Sequence, residues 1–95
     1  MQNNIFNSLK AQVPKKICCK SRKEEGITIV LTEDGDLEFL NETASSMFEL
    51  IDGVRTIEDI FNEMAGIYDV TPFVLKTDIV NFVRSLQWKR IIISN

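Results

Sequence analysis

Apolar positions change their spacing near the middle of the chain. From Ile17 to Leu40 they fall in short runs broken by turn residues. From Asn41 to Leu86 they recur three and four residues apart. The first pattern predicts strands. ICCKSR, Ile17–Arg22, is a short candidate. ITIVLT, Ile27–Thr32, is the clearest, being β-branched and bounded by Gly26 and an acidic turn. EDGD, Glu33–Asp36, supplies that turn, with Gly35 free to take a positive φ. LEFL, Leu37–Leu40, completes a hairpin.

Three helices are predicted next. Asn41 is a good N-cap and Glu42 suits the first turn. Ala44, Met47, Phe48 and Ile51 form an apolar stripe, and Asp52-Gly53 stops the helix. Thr56 opens the second helix with a capping box to Asp59, and Ile57, Ile60, Phe61, Met64 and Ala65 form its stripe. Thr71 caps the third helix and Pro72 takes its first position, where a missing N–H costs nothing. That helix is expected to run to about Gln87. Its main stripe is Leu75, Ile79, Phe82, Val83 and Leu86. A second line, Phe73 and Val80, is offset from it and interleaved with Lys76, Thr77 and Arg84. Two stripes imply contacts on two sides of the helix. RIIIS near the end reads as a last short strand or an apolar end that packs. Residues 1–13 show no periodicity and are expected to be a flexible tail before a domain of residues 14–95.

The predicted architecture is α+β: a three-stranded antiparallel β-sheet followed by three α-helices, a winged helix-turn-helix. At 95 residues the chain is one domain with a small core. No apolar run approaches the roughly 20 residues that span a bilayer, and the N-terminus lacks the apolar stretch of a signal peptide. A cytoplasmic protein without a membrane partner is expected. Cys18 and Cys19 are adjacent, so on a strand they point to opposite faces, one to the core and one outward. With no histidine and no CxxC spacing, neither a disulfide framework nor a metal site is expected.

Charge is uneven. Six of the 11 basic residues lie in residues 1–23, which carry no acid; all 14 acidic residues follow. The basic segment reads as a solubilising tail or as an attraction for an acidic partner. No histidine is available for proton transfer, the serines have no local base, and no glycine-rich loop precedes a helix. Catalysis and cofactors are therefore not expected, which leaves binding. A nucleic-acid reader would use the third helix, with Lys76, Asn81, Arg84 and Gln87. Asp78 lies on that helix, and the helical half of the chain is net acidic. Peptide capture fits better, because a small sheet leaves an edge that can pair with an added strand.

LNETASSMFELIDGVRTIEDIFNEMAGIYDV, Leu40–Val70, resembles the PqqD-like family, named for a protein of pyrroloquinoline quinone (PQQ) biosynthesis. The shared pattern is L-N-x-T-A, a helix ending in D-G, then R-T-[IV]-x-[ED]-[IL], and a helix leading to Y-D-V. DIVNFVRSL, Asp78–Leu86, resembles the family's final helix. Where the family often has Gly after that helix, this chain has Arg90 following Lys89. The resemblance implies a non-catalytic RiPP recognition element. Such a domain binds the leader segment of a ribosomally made precursor peptide by β-strand addition between its third strand and third helix. It then presents the peptide to a modifying enzyme, a radical S-adenosylmethionine protein or, for lasso peptides, a leader peptidase. Carried over by position, the peptide-binding residues are Leu37, Glu38, Phe39 and Leu40 on the strand, and Phe73, Lys76, Thr77, Val80, Val83 and Arg84 on the helix. The domain is expected as a monomer or as a weak or domain-swapped homodimer. The alternative is a winged-helix regulator that binds nucleic acid.

Overall fold

The computed structural model describes residues 2–17 and 20–95, with side chains from Asn4 onward. Cys18 and Cys19 lie outside the described residues, and so does the expectation attached to them. The elements are α1 (Gln2–Leu9), β1 (Pro14–Lys16), β2 (Lys20–Glu24), β3 (Ile27–Leu31), β4 (Leu37–Leu40), α2 (Glu42–Glu49), α3 (Ile57–Ile67), α4 (Pro72–Trp88) and β5 (Ile92–Ser94). The fold is α+β. A three-stranded antiparallel sheet, ordered β2-β3-β4, leads into α2, α3 and α4 in the winged helix-turn-helix arrangement. A second, two-stranded sheet pairs β1 with β5 and closes the ends of the chain on each other.

Local chemistry sets the corners. The β2–β3 hairpin turns on Glu25 and Gly26, with φ of +51° and +83°, the two consecutive positive values of a tight two-residue loop. Asn41 accepts from the Ala44 N–H and opens α2. Gly53, at φ +78°, turns the chain after it. In the same loop the Asp52 carboxylate accepts from the Arg55 and Val54 N–H groups and pairs with the Arg55 guanidinium at 2.6 Å. These bonds, the Arg55 amide first and the Val54 amide next, hold Asp52 below its ordinary carboxylate range. Thr56 and Asp59 form the full capping box of α3. Thr71 caps α4 with Pro72 in its first turn.

Arg90 stands where a helix-ending glycine is usual. It takes φ +59°, with its N–H on the Gln87 carbonyl and the Ile91 N–H on the Leu86 carbonyl. This is the Schellman ending of α4, made with an arginine in the left-handed position. The exit of α4 is thus kept without the glycine, and β5 follows directly.

The core lies between the inner face of the three-stranded sheet and the helices. Val30, Met47, Phe48, Ile57, Ile60, Met64, Leu75, Ile79, Val83 and Leu86 all enter it. Ser45, itself buried, joins sheet to helix. Its hydroxyl accepts from the Thr28 N–H at 2.9 Å and donates to the Leu40 carbonyl at 3.0 Å.

The N-terminal segment corrects the expectation of a flexible tail. Residues 2–9 are helical, and Phe6, only 2% exposed, packs edge-on against Phe61 with ring centroids 5.5 Å apart. The segment after α1 then accepts from the start of α3: the Gln12 carbonyl takes the Ile57 N–H and the Lys10 carbonyl the Glu58 N–H. A short helix with a thin apolar stripe is marginal alone and is held by tertiary packing. Local periodicity therefore does not announce it.

Candidate functional site

β4 ends the strand order, so one of its sides is unpaired. Thr32 donates its N–H to the Asp36 carbonyl at the start of the β3–β4 ladder. The antiparallel alternation from that pair turns the Glu38 and Leu40 backbone groups toward β3. It leaves the N–H and C=O of Leu37 and Phe39 directed at the open edge. Side chains alternate in the other sense: Glu38 and Leu40 point toward the interior, while Leu37 and Phe39 stand outward, 56% and 65% exposed.

Past the end of this strand, from Asn41 onward, a cleft of about 330 Å³ opens between α2 and α4. Asn41, Thr43, Ala44 and Met47 form the α2 wall, and Asp78, Asn81 and Phe82 the α4 wall. At the far end of α4 the Lys89 ammonium reaches back to the Glu38 carboxylate of β4, 2.6 Å away. The arrangement is an unpaired strand edge next to a mixed apolar and amide-lined cleft, tied at one end by an ion pair. It offers backbone pairing along one side and side-chain pockets along the other. Among the described residues, no group of three or more His, Cys, Asp or Glu side chains is placed to hold a metal.

The strand half of the sequence-derived site, Leu37, Glu38, Phe39 and Leu40, lies on this edge, with Leu40 buried. The helix half does not face it. Val80 and Val83 are fully buried core residues. The Lys76 ammonium stands over the rings of Phe6 and Phe61, 5.2 Å from each centroid, on the side of α4 where α1 packs. Arg84 and Phe73 are exposed. Helical geometry sets Arg84 about 140° around α4 from Lys89, and Phe73 opposite Phe82. Thr77 returns its hydroxyl to the Phe73 carbonyl. Of the second apolar line on α4, Val80 is buried and Phe73 stays exposed, and the Lys76 side of the helix is covered by α1. Sequence reasoning missed Asp78 and Phe82 as cleft residues and Lys89 as the partner of Glu38, because the stripe pattern shows that a face is covered and not by what. α4 is also the helix that would read a nucleic-acid groove; of the two cations expected there, Lys76 is turned onto aromatic rings and Arg84 is exposed.

A winged-helix domain with an open β4 edge and an adjoining cleft is the class of protein these features define. The sequence profile of the family described as Coenzyme PQQ synthesis protein D (PqqD) matches residues 28–92, most of the chain. The chain belongs to the PqqD family. Among solved structures it is similar to TbiB1 in complex with the TbiA(beta) leader peptide. The TM-score is 0.76 at 20% sequence identity, over 82% of this chain and 93% of that one. Among curated proteins none matches this sequence. α1 and β1 precede the segment matched to the family.

Proposed function

We propose that this chain is a non-catalytic peptide chaperone that binds the leader of a ribosomally synthesised precursor. The leader adds as an antiparallel strand on the β4 edge, in the cleft against α4. The chain then delivers it to a modifying enzyme, a radical S-adenosylmethionine protein or a leader peptidase, in the cytoplasm. The observation that carries this reading is the open β4 edge beside the Phe82-lined cleft. Membership of the PqqD family and the likeness in fold to a protein solved with a leader peptide support it.

In this reading the free N–H and C=O groups of Leu37 and Phe39 pair with the leader backbone, each bond contributing about 0.5–1.5 kcal/mol net. Inward side chains of the leader enter the space between Ala44, Met47 and Phe82. Outward ones lie beside Leu37 and Phe39. The helix wall of the proposed site is thus Asp78, Asn81, Phe82 and Lys89, in place of Phe73, Lys76, Thr77, Val80, Val83 and Arg84.

A titration of the precursor leader encoded beside this gene tests the reading. A leader N-methylated at alternate residues on the pairing side is expected to bind at least tenfold more weakly than the native one. Equal affinity of the two peptides would overturn strand addition.

A further inference from the structure

Trp88 is the only tryptophan of the chain, and it stands 87% exposed at the end of α4. With Gln87, Arg90 and Asp34 of the β3–β4 turn it lines a depression of about 530 Å³. Two features of this depression run against stability. A large aromatic side chain is left in water, where burial would favour folding. Arg90 is held at φ +59° at the helix end, a position that glycine fills without strain. Backbone strain of this kind concentrates at functional sites. The result is a planar indole and a planar guanidinium on the wall of one open hollow.

Its place relative to the β4 edge selects its ligand. Lys89 reaches Glu38, so the end of α4 lies level with β4. Trp88 follows Asn81 by seven residues, about two helical turns, and so lies on nearly the same face of α4. Asn81 lines the cleft that opens past the Leu40 end of the strand. The Trp88 depression lies at the other end, beside the turn that precedes Leu37. A strand that pairs antiparallel with β4 runs from the first end to the second. Its C-terminal continuation leaves at the turn. At roughly 3.3 Å per residue, that continuation reaches the depression about two to four residues past the one opposite Leu37.

We propose that this depression is a second subsite for the leader, taking an aromatic side chain just C-terminal to the paired segment. Trp88 supplies a ring for offset or edge-on stacking, and the Arg90 guanidinium stacks on aromatic faces as well. Tryptophan and arginine are also the residues that most often anchor a contact surface. Asp34 on the same wall disfavours an acidic residue there, so the subsite selects a ring over a carboxylate. The proposal rests on strand addition at β4 and supplies what pairing alone lacks. Backbone hydrogen bonds repeat every second residue, so an edge by itself admits slipped registers. One anchored ring fixes a single register.

Trp88 reports on its own site, because its indole is the only one in the chain. The probes are the leader encoded beside this gene and the same leader ending at the residue opposite Leu37, each with any tryptophan replaced by phenylalanine. The full leader is expected to shift Trp88 emission to the blue and to cut its quenching by acrylamide at least twofold. The shortened leader should change neither, while still slowing amide exchange at Leu37 and Phe39. Trp88→Ala should weaken the full leader about tenfold and the shortened one less than twofold. Arg90→Gly should weaken the full leader about threefold while raising the thermal midpoint, which separates the loss from unfolding. Unchanged Trp88 emission and quenching in a saturated full-leader complex that protects Leu37 and Phe39 would overturn the subsite and leave strand addition standing. Equal weakening of both leaders by Trp88→Ala would do the same. A complex that protects neither amide would overturn strand addition, and the subsite with it.

Discussion

Lys89 and Glu38, 51 positions apart in sequence, meet with 2.6 Å between Nζ and Oε1 and tie the end of α4 to the open edge strand. Both side chains are partly exposed, so the pair contributes little to stability, about 0–1 kcal/mol. Its consequence is positional, because it fixes how far the end of α4 stands from β4. Lys89→Ala should shift the denaturation midpoint only slightly. It should weaken leader binding about three- to tenfold, which paired chemical denaturation and peptide titration would separate. An equal loss in both measurements would make the pair a stabilising contact only.

Phe6 is expected to behave as a core residue. Its burial against Phe61 and beneath the Lys76 ammonium predicts that Phe6→Ala costs about 3 kcal/mol, measured by urea denaturation. Deleting residues 1–9 should cost at least as much. A truncated chain with unchanged stability would show that α1 contributes nothing to the fold.

Ser45 satisfies two buried backbone groups at once, the Thr28 N–H and the Leu40 carbonyl. Ser45→Ala removes both partners and leaves the two groups in a site closed to solvent. The expected loss is about 1–3 kcal/mol. It should be accompanied by faster amide exchange at Thr28, where β3 meets the start of α2.

Arg90 occupies a left-handed conformation that disfavours a side chain. Arg90→Gly should stabilise the domain by about 0.5–1 kcal/mol, the relief of strain exceeding the added freedom of the unfolded chain. Thermal denaturation would register this as a higher midpoint. A fall would show that the arginine side chain makes a stabilising contact.

Asp52 sets a pH dependence. Its folded carboxyl is held below its unfolded value of 3.8, chiefly by the Arg55 amide, so ionisation favours the folded state. That contribution is fully present above the unfolded value and is lost as pH falls through the folded one. The stability difference between the parent and Asp52→Asn should therefore be constant near neutrality and shrink below about pH 4. Denaturation curves over that range check the sign.

Much of the fold was legible because its corners are made locally. Asn41, Thr56 and Thr71 cap as their side chains dictate, and the Ile27–Leu40 hairpin has its turn residues beside it. What was not legible depends on distant partners. α1 is helical because α4 and Phe61 hold it. β1 is three residues long and exists by pairing with β5, the end that the sequence read either as a last short strand or as an apolar end that packs. The candidate site divides along the same line. The β4 edge follows from strand order, whereas the helix wall required knowing that α1 already occupies the Lys76 and Val80 side of α4. Phe82 shows the limit well. Its spacing reads as core, yet it is half-buried in the wall of the cleft.

Backbone amide exchange along β4, with and without the leader peptide, tests strand addition most directly. The N–H groups of Leu37 and Phe39 are predicted to exchange freely in the peptide-free chain and to slow at least tenfold on binding. Glu38, already turned toward β3, should change little. A saturated leader complex in which Leu37 and Phe39 remain unprotected would contradict the account.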